Sequence, residues 1–348
     1  MHYRLLIVLA LFIKTDLVCQ QNYLQYAAGI SKAETMILHD HFDSAFIVYD
    51  QVFVSFEKCF PNDVFIAAQA ASVMNDFKRC WTYLKKGFEW GLKTECLRYP
   101  AFKAFNSSHY SDSIDRYFPQ LHAIYQSRIN QSYRQECLNL YYRDQKANRT
   151  HQPMNILIPA LAKRAEKRLD DTCAALLAEL RLLMVRYDGF PLVVNTGVRD
   201  TFYANTHSVS DGRDYWIIAT LFWHYSYAFQ EFDSVLYNAV LDGNLSAWHY
   251  ALIRDFSKIH YENSGKKKNS GIKYQTFHYN VYWLDPGQLF GTSELLFYNS
   301  NRQQLGLMSL QDEQLKKKRH MQYYEYAQKP SLKEEEKKYL IYFDYYYL

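Results

Sequence analysis

The sequence predicts an all-α protein, and three observations carry that expectation. Only 12 Gly and 8 Pro are spread over 348 residues, so the breakers that many short strands would need are scarce. Apolar residues recur at helical spacing, most clearly Leu176, Leu177, Leu180, Leu183 and Met184. Small residues also repeat near the N-terminus. Ala33 and Ala45 lie 12 residues apart, Ala68 and Cys80 repeat that spacing, and the second pair stands 35 residues after the first. The chain is longer than one core usually fills, which argues for two domains. Hydrophobic content of 49% suffices for sizeable cores, and a net charge of +4, evenly spread, argues against a nucleic-acid partner.

Residues 1–19 read as a signal peptide. Met1-His-Tyr-Arg4 is a short basic start, Leu5 to Ile13 is apolar, and Leu17-Val18-Cys19 offers a cleavage site before Gln20. The apolar run falls well short of the roughly 20 residues of a membrane span. Export to the periplasm or medium is therefore expected, with no transmembrane span after the signal. Val18 occupies the position where a lipid-anchored precursor wants a small residue, so Cys19 argues weakly for an anchor. Five further cysteines (Cys59, Cys80, Cys96, Cys137, Cys173) show no CxxC spacing and read as core thiols.

From Tyr23 to about Cys96 the chain reads as two helical hairpins. Small residues are needed where paired helices cross, and Ala33/Ala45 and Ala68/Cys80 supply them, with Tyr49 and Leu84 as fillers one turn later. His41-Phe-Asp43 and Asn75-Asp-Phe77 mark the turns within the hairpins, and Phe60-Pro-Asn-Asp63 the link between them. This pattern resembles tetratricopeptide repeats in period, although their signature Trp, Gly and Pro are missing. Residues 20–145 are assigned to these repeats and their capping helices, including one long helix from Ile114 or Arg116 into the 140s, bent near Pro119. Two repeats cannot bury a solenoid face alone, so capping is required.

A second helical domain is assigned to 146–310, with His151-Gln-Pro153 as the boundary. Its first helix, Asp170 to Arg186, ends at Asp188-Gly-Phe-Pro191, where Gly189 is expected in the left-handed cap conformation. Gly197 to Arg213 reads as a polar loop, Ser234 to Leu241 and Ala247 to His260 as helices, and Ile272 to Trp283 as an extended segment. Residues 311–348 form a charged C-terminal helix, carrying Lys316–Lys318 and Glu334–Glu336, and an aromatic tail too apolar to hang free.

The stretch Asp214 to Asp233 reads as a central helix, apolar almost all round. Trp216, Trp223 and Gln230 share one stripe, with His224 and Glu231 beside it. The chain has no GxSxG, HExxH, P-loop or glycine-rich dinucleotide turn, and its histidines lack metal-ligand spacing. No metal and no cofactor are expected. What remains is a polar constellation: His224 and Gln230 on the central helix, Arg254 and Asp255 on the next, Gln275 and His278 on the extended segment. A histidine beside a carboxylate suits general acid–base work, and the same groups suit a buried hydrogen-bond network or a binding site. Asp255 is the expected partner of a buried His224.

From Asp144 onward the order of landmarks resembles a family of uncharacterised bacterial helical domains. Those landmarks are Asp144-Gln145 with Arg149, Asp170/Asp171, Gly189-Phe-Pro191, Trp223-His224 with Gln230, Arg254-Asp255, Gln275 to Tyr279, and Asn301-Arg302 with Gly306-Leu307. The resemblance adds Asp144 and Arg149 to the candidate positions. The family has Gln where this chain has Trp223, Gly-Trp-Pro where it has Gly-Phe-Pro, and Tyr-Gly-Thr-Gln where it has Gln275-Thr-Phe-His278. It carries no activity to import. The function expected is an exported helical-repeat protein that binds a protein or peptide partner on its repeat surface. The alternative is a small hydrolase or ligand-binding domain using His224 and Asp255.

Overall fold

A computed structural model describes residues 22–157, 159–197, 217–225, 227–261, 279, 287–329 and 331–343. Among them every regular element is helical and no strand occurs, so the all-α class holds.

Helices α1 (Tyr23–Leu38), α2 (Phe42–Ser55), α3 (Pro61–Val73) and α4 (Phe77–Glu89) form two hairpins, α1 on α2 and α3 on α4. Ala33, Ala45, Ala68 and Cys80 are all fully buried, as close helix crossing demands, and Tyr49 and Leu84 fill the space beside them. Both hairpins turn by one device. Asp40 (φ 65°) and Asn75 (φ 60°) adopt the left-handed conformation. In each the next amide reaches back six residues inclusive, His41 N–H to Met36 O at 2.8 Å and Asp76 N–H to Ala71 O at 2.9 Å. Asp and Asn tolerate that backbone better than other side chains, which explains their recurrence 35 residues apart. Pro61 opens α3 and Asp76 caps α4 by accepting from the Arg79 amide. Cys59, Cys80, Cys96, Cys137 and Cys173 are free and buried.

After short helical turns at Thr94–Arg98, Pro100–Phe102 and Lys103–Asn106 come α5 (Asp112–Arg128) and α6 (Gln131–Leu157). The single long helix expected here is two. Asn130 interrupts it: its amide donates to Asn195 O at 2.9 Å, and its side chain accepts from the Tyr133 amide at 3.0 Å, starting α6 afresh. Pro119 lies inside α5. The expected linker at His151–Pro153 falls inside α6, whose backbone is helical to Leu157. The helix expected to begin at Asp170 begins at Pro159, giving α7 (Pro159–Arg186). Asp188 (φ 49°), not Gly189, takes the left-handed position at its end.

Antiparallel packing of α6 on α7 is recorded by Tyr133 stacking on Tyr187 and by the Arg143–Glu179 and Arg186–Glu136 ion pairs. The expected central helix is interrupted. Ile217 and Ile218 form a turn, α8 (Ala219–His224) follows, and Tyr225 leaves the helix at ψ 110°. A single turn at Ala228–Glu231 then precedes α9 (Asp233–Leu241) and α10 (Ala247–Tyr261). The run Trp223-His-Tyr-Ser-Tyr227 has low intrinsic helix preference, and tertiary bonds favour the break. Tyr225 Oη donates to Glu231 at 3.0 Å and the Phe229 amide to buried Ser257 Oγ at 3.2 Å. Ser246 caps α10 as its sequence predicts. Of the expected loop and extended segment, only Gly197 and Tyr279 are described.

Helices α11 (Thr292–Gln304) and α12 (Leu310–Tyr326) return to the N-terminal hairpins. Arg302 on α11 and Glu313 on α12 form a buried pair at 2.5 Å, and Lys316 of α12 meets Glu34 of α1 at 2.6 Å. The acidic cluster expected on this last helix lies instead in a separate 3-10 segment, Glu334–Leu340. Beyond it Ile341 and Phe343 are buried, and Gln69 clasps both the N–H and the C=O of Tyr342. One apolar core runs from Tyr23 to Ile114 and takes in Met308, Ile341 and Phe343; a second contains Tyr125 to Ile253 with Tyr279 and Leu305. No described helix is long and apolar enough to cross a membrane.

Candidate functional site

The candidate positions separate into three groups. The first centres on His224, the last residue of α8, whose side chain is 13% exposed. Its Nδ1 lies 2.9 and 3.0 Å from the two carboxylate oxygens of Asp144, and its Nε2 lies 3.2 Å from the Asn148 amide nitrogen. Asp144 and Asn148 are one turn apart on α6 and so share a face. With the amide donating to Nε2, the imidazole proton sits on Nδ1 and donates to Asp144. The fully buried Asp144 also accepts from Gln145 Nε2 at 3.1 Å and from the Cys173 thiol of α7 at 3.8 Å. Burial, followed by the Asp144 charge, pushes the Cys173 thiol far up, which keeps it protonated and unreactive. Three helices therefore meet on one carboxylate, and both imidazole nitrogens are engaged within the protein.

The expected His224–Asp255 pair is not formed. Asp255 is fully buried in the second group and accepts the Tyr279 amide at 3.2 Å, while Arg302 Nη1 donates to Tyr279 O at 2.9 Å. His224 and Asp255 lie on helices that pack together, but α6 supplies the carboxylate that the imidazole reaches. Arg254, one residue earlier, turns into the third group. Its Nη1 donates to Tyr250 Oη at 2.7 Å, and Tyr250 Oη donates to Asp233 at 2.7 Å. Burial and the bond to Asp233 push the Tyr250 phenol up, so it stays neutral.

Gln230 is exposed on its short turn, and Arg149 is exposed with its guanidinium on the Gln145 carbonyl at 3.3 Å; neither joins the imidazole. Gln275 and His278 lie outside the described residues. Neither Asn148 nor the core thiol Cys173 was expected from the sequence in the His224 network. The four-residue step from Asp144 to Asn148 on a predicted helix was the available signal for the first.

A cleft of about 730 Å³ opens elsewhere, at the edge of the second hairpin. Its floor is Ser72, Val73 and Ala101, where Ser72 Oγ donates to Ala101 O at 2.7 Å. One wall comes from the turns over Leu97–Ser107 and the other from Tyr326–Leu340. Leu97, Tyr99, Tyr326, Leu332 and Leu340 make it largely apolar, with Arg98, Lys103, Lys329 and Lys337 around it. The irregular Tyr99-Pro100 and Asn106-Ser-Ser108 stretch hints at such a feature in sequence, since binding segments concentrate in irregular connections.

The class these features define is an all-α protein with two helical hairpins, a His–Asp network and a separate apolar cleft. Comparison with known protein families, curated proteins and solved structures finds no match to this chain.

A structural role for the His224 network predicts a definite cost. His224→Ala should destabilise by about 1–3 kcal/mol, through the cavity and the loss of a donor to buried Asp144. Urea unfolding of wild type and variant measures it, and an unchanged midpoint would refute a structural role.

Proposed function

We propose that this is an exported helical-repeat protein that binds a peptide or protein partner in the cleft beside its second hairpin. The cleft carries the reading. Its volume of about 730 Å³ falls in the range of pockets that enclose a ligand, and its walls combine apolar side chains with a few polar groups. Tyr99 and Tyr326 supply amphipathic rings of the kind enriched at recognition surfaces. Export is supported by the residue pattern of positions 1–19.

Peptides selected from a displayed random library against the protein test the reading. Ala104 lines the cleft and is exposed, so Ala104→Trp should obstruct it without disturbing the core. Selected peptides should bind the variant at least roughly tenfold more weakly, the scale of one buried aromatic anchor. If no selected peptide responds to Ala104→Trp, the cleft is not the binding site.

The Asp144–His224 geometry favours a second reading, a small hydrolase or ligand-binding domain. A carboxylate that holds Nδ1–H leaves Nε2 as the basic atom, as a general base requires. Asn148 stands at that Nε2, so a substrate would have to displace its amide. His224→Ala separates the readings: a catalytic role leaves stability intact and abolishes turnover.

A further inference from the structure

We propose that the cleft is selective for an acidic peptide segment with apolar side chains interleaved. This inference rests on the reading of the cleft as a peptide site and names the chemistry of its occupant. No Asp or Glu stands among the described lining residues, whereas Arg98 and Lys103 stand on one wall and Lys329 and Lys337 on the other. The two walls differ in how their charge is used. Lys329 pairs with Glu336 at 3.3 Å and Lys337 with Glu334 at 2.5 Å. Arg98 and Lys103 form no ion pair with any described residue; Arg98 lies over the Tyr99 ring at 6.0 Å. On other faces of the molecule some cations are matched by a carboxylate of a neighbouring segment, as Lys316 is by Glu34 and Arg319 by Asp40. Others, such as Lys58 and Lys86, are held by backbone carbonyls.

Unmatched like charges beside apolar walls raise the local potential, because field lines are focused where water is displaced. A carboxylate entering between Leu97 and Lys103 would meet that field. A small inorganic anion would leave Leu97, Tyr99, Leu332 and Leu340 uncovered, so charge and apolar surface together call for a chain carrying both. An extended peptide with acidic residues flanking an aromatic or aliphatic one satisfies both walls at once. Such rim charges set selectivity and association rate more than total affinity, and salt screens them.

The probe is an acetylated, amidated octapeptide, Glu-Glu-Tyr-Glu-Glu-Leu-Glu-Glu, with Gln-for-Glu and Lys-for-Glu counterparts, followed by fluorescence anisotropy against the full chain. The Glu peptide should bind roughly tenfold more tightly than the Gln peptide, the sum of several exposed pairs. That advantage should shrink between about 50 mM and about 300 mM salt. Arg98→Glu combined with Lys103→Glu should abolish the preference, and since both side chains are exposed the melting temperature should hold. Equal binding of the Glu and Gln peptides, both lost on Ala104→Trp, would overturn the charge selectivity and leave the peptide site standing. No binding by any of the three overturns both. Preference for the Lys peptide, or full displacement of the Glu peptide by an oligothymidylate of equal length, would overturn the acidic-peptide assignment.

Discussion

Arg302→Met is expected to destabilise the protein by about 3–5 kcal/mol, the cost of breaking a buried ion pair from one side. Arg302 is fully buried, and each arm of its guanidinium has a different partner. Nε donates to Met308 O at 2.7 Å, Nη1 to Tyr279 O at 2.9 Å, and Nη2 to Glu313 at 2.5 Å. Methionine fills similar volume, so the loss isolates the polar contribution. Two backbone carbonyls lose a donor, and the Glu313 charge stays behind at 3% exposure. Equilibrium urea unfolding should show a lower midpoint with an unchanged slope. Adding Glu313→Leu should recover part of the loss, since removing both members of a buried pair costs far less than removing one. A midpoint for Arg302→Met equal to wild type would mean that the guanidinium is solvated in solution.

Gly306→Ala should cost about 2–5 kcal/mol, the sum of left-handed strain and overpacking. Gly306 ends the turn after α11 at φ 70°, where an L side chain is strained. An added Cβ would stand 2.5 Å from Leu24 O and 2.6 Å from Ala28 N, both in the backbone of α1. Helix backbone cannot swing aside as a side-chain tip can, so α1 and the turn must separate. That separation would also break the bond from Ser31 Oγ to Gly306 O at 2.7 Å. Gly291→Ala is the control. Gly291 sits at φ −66° at the N-cap of α11, and its nearest neighbour is the Glu294 side chain at 3.5 Å. Its replacement should cost about 1 kcal/mol or less, the difference between Gly and Ala as N-cap residues. Thermal melts of the three proteins check this, and equal melting for the two variants would show that α1 does not press on Gly306.

The hairpins were legible because helix crossing constrains residue size locally. Two backbones approach closely only where side chains are small, so Ala33, Ala45, Ala68 and Cys80 mark the crossings without knowledge of the rest of the fold. The docking of the C-terminal segment was legible for a similar reason, since its aromatic content needs burial; where it docks, on Gln69 and Tyr99, was not. The candidate site was legible only in part. His224 and Asp144 could be named separately, but a histidine accepts any carboxylate within reach, and Asp255 was nearer in the chain.

By itself the sequence determined the helical class, the two hairpins and the buried thiols, and it placed the second turn at Asn75. Each follows from propensity, periodicity or side-chain size acting over a few turns. The first turn, expected at His41-Phe-Asp43, lies just before it, at Asp40, because Phe42 and Asp43 already belong to α2. Only the tertiary structure decided that the helix around residue 225 breaks, because that break depends on Glu231 and Ser257 as partners for Tyr225 and Phe229. It alone chose Asp144 over Asp255 for His224, across 80 residues of chain. It alone assembled the cleft from Ser72–Ala101 and Tyr326–Leu340. These are long-range choices, settled by which groups the packed helices bring within bonding distance, and no local pattern in the chain encodes that distance.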